Sequence, residues 1–124
     1  MSYYKLKPEF KEAWLAALRS GEYQQTRGQL RRDNAFCCLG VACDLAQKMG
    51  LVPGMWSNGA FEITPNDQGW NMPPQGVVEA IFEGENPRSA THAFYIPSER
   101  RGLDGLNDLG YTFSELAKII ETDF

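Results

Sequence analysis

The chain has 124 residues, with 12 basic and 16 acidic side chains and a net charge of −4. That length fits one domain, residues 1–124, expected to bury roughly two-thirds of its unfolded surface without a disulfide or metal staple. The acidic balance argues against non-specific nucleic-acid binding, which needs a basic footprint, and no apolar run approaches the ~18 residues of a membrane span.

The first predicted element is a helix over residues 8–20. Pro8 suits its first turn, Glu9 and Glu12 favour its positive end, and Arg19 followed by Gly21 ends it. Phe10, Trp14, Ala17 and Leu18 form its inward stripe. From Glu22 to Arg32 the period shortens, and two short strands about the turn Arg27-Gly28 are expected, an antiparallel hairpin over 22–32. Asp33-Asn34 then marks a turn or a helix cap.

The central helix is expected over 37–49, with Cys38, Val41, Ala42, Leu45 and Met49 on one face and Gly50 after it. Gly40 inside it lowers helix stability by ~1 kcal/mol relative to alanine, which points to a close crossing there, with an aromatic ring as one candidate neighbour. Residues 51–72, rich in glycine, proline and tryptophan, read as one short strand around Phe61 and Ile63 between loops. A helix is expected from Asn71, with Val77, Val78, Ile81 and Phe82 inward and Gly84 beyond it. Asn86-Pro87-Arg88 reads as a turn, and Thr91 to Ile96 as a second short strand. Leu103, Leu106 and Leu109 make a short helix closed by Gly110. Thr112 with Glu115 is a capping box that opens a terminal helix carrying Phe113, Leu116, Ala117, Ile120 and Phe124. The expected architecture is therefore α+β, four or five helices with a small antiparallel sheet around the helix 37–49.

All three cysteines lie within Phe36 to Ala46. An odd number on one apolar helix does not make a disulfide framework, and buried reduced thiols are expected. Cys37, Cys38 and Cys43 lack the C-x-x-C spacing of a zinc site, and nothing in the chain asks for a cofactor. A thiol at a helix N-terminus has its pKa lowered, so Cys37 or Cys38 with His92, followed by Asn107 or Asp108, would give the residue order of a cysteine hydrolase or transferase. Leu106 to Ile120 has the outline of a helix-turn-helix, but the terminal helix offers Lys118 as its one base against Glu115, Glu121 and Asp123. Arg19, Arg27, Arg31 and Arg32 fall within fourteen residues of one another. Gln25, Arg27 and Arg31, with Arg32, could offer donors to phosphate or carboxylate, and Asn107 with Asp108 could read a ribose or a base edge.

Four stretches together resemble a group of small uncharacterised bacteriophage and prophage proteins. They are Trp14 to Leu18 with Ser20-Gly21; Tyr23-x-Gln25-x-x-Gly28-x-Leu30; Cys37-Cys38-Leu39-Gly40-Val41 with Asp44; and Leu106-Asn107-Asp108-x-Gly110 running into Phe113-x-x-Leu116-Ala117-x-Ile119-Ile120-Glu121. The resemblance implies phage origin and life in the host cytoplasm, and it implies no chemistry. The segment Thr91 to Tyr95 departs from the pattern, so no shared role is carried onto His92. A binding protein is the expected class, taking a small anion or nucleotide, or a host protein, with the cysteine enzyme as the alternative. The opening Met1-Ser2-Tyr3-Tyr4-Lys5 leads into a charged helix rather than a signal core, in keeping with a cytosolic chain.

Overall fold

The computed structural model describes residues 2–84 and 87–124. Helix α1 (Pro8–Ser20) starts where expected and stops at Gly21, φ +79°. Proline is cheap in a first turn because its missing N–H would have had no helical acceptor, and the left-handed stop favours glycine. Its buried face, Phe10, Trp14 and Leu18, packs on α2 (Cys38–Lys48) and α6 (Phe113–Asp123).

Helix α2 is central, as its composition suggests, but it is buried around most of its circumference rather than along one stripe. Every residue from Cys38 to Asp44 is inaccessible or nearly so, and Ala46 as well. Met49, expected on the inward face, is instead the C-cap and 40% exposed. Gly40 does mark a close crossing, made by the backbone of Leu30 and not by an aromatic ring: a Cβ at position 40 would fall 1.9 Å from the Leu30 carbonyl oxygen.

The hairpin expected over 22–32 does not form. Strands β1 (Gln24–Gln25), β2 (Arg31–Arg32) and β3 (Ala35–Phe36) make a sheet in the order β1-β3-β2, in which β3 runs parallel to β1 and antiparallel to β2. The tight turn is Asp33-Asn34, with Asp33 at φ +55°. Leu30 is the physical reason. Its side chain is fully buried, its N–H donates to the Trp70 carbonyl at 2.7 Å, and its carbonyl accepts from the Cys37 N–H at 3.1 Å. Those bonds hold the backbone before β2 away from β1, so β3 takes the place between them.

Residues 51–72 hold three strands where one was expected. β4 (Met55–Ser57), β5 (Ala60–Thr64) and β6 (Asp67–Gly69) form an antiparallel meander. Its first turn is Asn58-Gly59, at φ +53° and +88°, the positive pair that a two-residue type I′ hairpin demands. Helix α3 (Gln75–Ile81) begins four residues after Asn71, because its cap comes from β6. The Asp67 carboxylate accepts from the N–H groups of Gln75 and Gly76, each at 2.9 Å.

The strand expected over 91–96 is a helical turn followed by a shorter strand, α4 (Ala90–Ala93) then β7 (Tyr95–Ile96). The Ser89 hydroxyl accepts from the His92 N–H and opens the turn. Of the turn expected at Asn86-Pro87-Arg88, Asn86 lies outside the described residues. β7 pairs with β8 (Arg101–Gly102), which leads into α5 (Leu103–Leu109). Gly110, φ +111°, and the Thr112–Glu115 capping box then start α6 as expected. The described residues thus contain six helices, and one hydrophobic cluster runs from Leu6 through α2 to Phe124. No helix among them is long and apolar enough to cross a membrane.

Candidate anion-binding face

Burying Leu30 turns its neighbours outward. Arg31 is then held on three sides: its guanidinium carbon lies 5.0 Å from the Phe36 ring centre and 5.5 Å from that of Trp56, and its Nε donates to the Asp33 carbonyl at 2.7 Å. Neither terminal nitrogen has an acceptor among the described residues. A guanidinium presses on ring faces without spending its N–H groups, so Arg31 is fixed in place with its fork free.

The rings beneath it are fixed too. Tyr23, Phe36, Trp56 and Phe61 meet edge to face in sequence, with centres 5.1, 5.6 and 5.0 Å apart. Asp44 locks two of them, Tyr23 and Trp56. Its carboxylate accepts from the Tyr23 hydroxyl at 2.6 Å and the Trp56 indole at 3.1 Å, and pairs with Lys48 at 2.9 Å. Burial pushes the Asp44 carboxyl up, but the three hydrogen bonds and the Lys48 charge outweigh it and hold the carboxyl below its ordinary value. Tyr23 is pushed up, by burial first and then by its bond to Asp44. At neutral pH the group is therefore a carboxylate served by a phenol, an indole and an ammonium.

Arg31 and Arg32 line a cleft of about 440 Å³ together with Gln29, Asp33, Trp56, Asn58 and Gly59. A second cleft, about 450 Å³, is lined by Gln25, Thr26, Arg27 and Arg32, so that Arg32 stands between the two. Arg27 and Arg32 have no acidic partner among the described residues. Arg19, grouped with them in sequence, is spent elsewhere, 3.4 Å from Glu121.

The polar residues expected to accompany the arginines do different work. Asn107 is fully buried. Its Oδ1 accepts from the Gln25 amide at 2.9 Å and from the Cys38 N–H at 3.2 Å, and its Nδ2 donates to the Thr26 carbonyl at 2.8 Å. Gln25 also donates to the Tyr111 carbonyl, and Asp108 accepts from the Gly28 N–H at 2.8 Å. Asn107 and Asp108 thus pin the loop 25–28 onto α5, and Arg27 rides on that loop with its guanidinium against Gly110.

The cysteines are buried beneath this face and line neither cleft. Cys37 caps α2, its sulfur accepting from the Gly40 N–H at 3.4 Å, but burial dominates over the helix end and pushes its thiol up to about 11. Cys38 and Cys43 are fully buried and pushed up likewise, and the Cys38 thiol donates to the Leu103 carbonyl. His92 stacks on Tyr3 at 5.5 Å and meets Tyr4 edge-on at 5.4 Å, in a cleft that it shares with Arg88 and Tyr95. Among the described residues no hydrogen bond or ring contact joins it to a cysteine. Native protein should therefore react slowly with a thiol reagent at neutral pH, with three equivalents released on denaturation. Fast stoichiometric labelling of one cysteine below neutrality would contradict this burial.

Trp56, Asn58 and Gly59 were not expected at the face. The dipeptide Asn58-Gly59 between alternating residues is the signal that would have placed a hairpin tip there.

The fold and this face define a small α+β domain that presents arginines beside aromatic rings. The chain belongs to the family described as Domain of unknown function (DUF8296), whose model matches residues 6–124. No curated protein and no solved structure is detectably similar to it.

Proposed function

We propose that this protein is a non-enzymatic binder of phage or prophage origin, working in the host cytoplasm by holding a phosphate- or carboxylate-bearing ligand on the face of Arg31 and Arg32, with Arg27 beside them. The observation that carries the reading is Arg31, anchored through Nε and two rings while both terminal nitrogens are unspent. Such a fork matches the two oxygens of a phosphate or carboxylate, and little side-chain freedom is left to lose on binding. Arginine offers five N–H donors and no acceptor, so the face suits holding an anion better than general acid-base chemistry. The phage origin rests on the four sequence stretches that resemble phage proteins. A ligand held in this way would be withdrawn from the host, which is how the protein would modulate it.

Pyrophosphate is a suitable probe, followed by amide chemical shifts or calorimetry at low salt. Wild type should bind it, with affinity falling as salt rises. Arg31→Gln/Arg32→Gln should lose at least tenfold in affinity with only a modest drop in melting temperature, because Arg32 is exposed and Arg31, half-buried, gives up its contacts with the Phe36 and Trp56 rings. Unchanged affinity in the double variant would remove the face from consideration.

A further inference from the structure

We infer that the ligand is a nucleotide, its phosphates on Arg31 and Arg32 and its base on the indole of Trp70, a reading that rests on the anion-binding face proposed above. Trp70 is 57% exposed, so packing does not account for its ring. Its backbone is nevertheless fixed, since its carbonyl accepts from the Leu30 N–H at 2.7 Å. The turn that follows is tight as well: a Cβ on Gly69 would fall 1.8 Å from the Met72 carbonyl oxygen.

The indole stands at the edge of the arginine cleft. A Cβ on Gly59 would lie 3.0 Å from the Trp70 indole nitrogen, 2.9 Å from the Arg31 carbonyl oxygen and 3.3 Å from the Gln29 amide nitrogen. Gly59 lines the cleft, so its missing side chain lets the ring, the amide and the Arg31 backbone converge. Trp70 Nε1 has no acceptor among the described residues. Gln29 gives its amide N–H to the Arg31 carbonyl, which leaves its oxygen free, and the Asn58 side chain makes no hydrogen bond there.

The set therefore comprises a flat apolar platform, unspent amide donors and acceptors, and guanidiniums with open forks. A base supplies a ring to stack and an edge to read, and its phosphates meet the guanidiniums. The acid on the lining, Asp33, sharpens the choice. Its carboxylate opposes a bare polyanion but offers an acceptor to ribose hydroxyls, which favours a nucleotide over free phosphate. A single nucleotide is favoured over a nucleic-acid strand because the chain as a whole is acidic.

The experiment compares ATP, GTP, pyrophosphate, adenosine and a series of single-stranded oligonucleotides, using calorimetry on wild type, Trp70→Ala and Trp70→Phe, with melting curves as the check on folding. At least one nucleotide should bind roughly tenfold or more tighter than pyrophosphate, the contribution expected of one stacked base. Trp70→Ala should bring that nucleotide down to the pyrophosphate level while leaving pyrophosphate itself unchanged, and Trp70→Phe should restore part of the gain. Pyrophosphate binding as tightly as both nucleotides would overturn the inference and leave the anion reading standing. Affinity that climbs with oligonucleotide length would overturn it in favour of a nucleic-acid strand. Absence of pyrophosphate binding altogether would instead strike the anion face on which the inference rests.

Discussion

Replacing Trp14 with alanine is expected to destabilise the fold by about 3–5 kcal/mol, a large share of the ~5–15 kcal/mol that holds a domain together. Trp14 has no exposed surface, and its ring meets Phe10 at 5.9 Å and Phe94 at 6.1 Å. It also donates its indole N–H to the Cys38 carbonyl at 3.1 Å, tying α1 to the first turn of α2. The alanine variant thus leaves a cavity between three elements and withdraws a buried donor. Trp14→Phe, which keeps a ring but not the N–H, should recover much of the loss. Urea denaturation of the three proteins measures both contributions, and an alanine variant with an unshifted midpoint would mean that the cavity closes without cost.

Gly40→Ala should lose about 3 kcal/mol or more, against the usual direction for a glycine inside a helix, where alanine gains ~1 kcal/mol. The opposing group is backbone, the carbonyl of Leu30, and it cannot swing aside like a side chain. Leu30 is bonded to Trp70 on one side and Cys37 on the other. Relief would require α2 to back away from the segment that carries Arg31. The variant should therefore unfold at lower urea and, in what remains folded, bind pyrophosphate less tightly. Equal stability in the alanine variant would show that α2 and the Leu30 backbone separate freely.

The same glycine shows what the sequence makes legible. A glycine within an apolar helix announces a close neighbour, but not which one, because Leu30 is ten residues away and lies in a polar stretch. Helices α1, α5 and α6 were readable because each carries its own punctuation: Pro8 and Gly21, Gly110, Thr112 with Glu115. The pairing of 22–32 is not legible locally, because Gly28, at φ +83°, has a hairpin glycine's appearance while serving a loop held by Asp108. The parallel pairing of β1 with β3 left no local mark. The start of α3 lies beyond Asn71 for the related reason that its cap, Asp67, comes from a strand. At the face, the arginines were visible as a cluster and Trp56 and Trp70 were not. Whether a tryptophan faces a core or solvent is decided by elements far along the chain.

Asn107 has a consequence for the order in which the molecule is assembled. The loop that carries Arg27 is fastened by bonds that span 80, 81 and 82 residues of chain, from Gly28, Thr26 and Gln25 to Asp108 and Asn107. Contacts of that separation are slow to find one another, since a long loop must close before they give anything back. During synthesis, Arg27 would leave the ribosome long before the helix that positions it. The Arg27 side of the arginine face is thus among the last parts of the molecule to acquire its form, because the side chains that hold it belong to the C-terminal third of the chain.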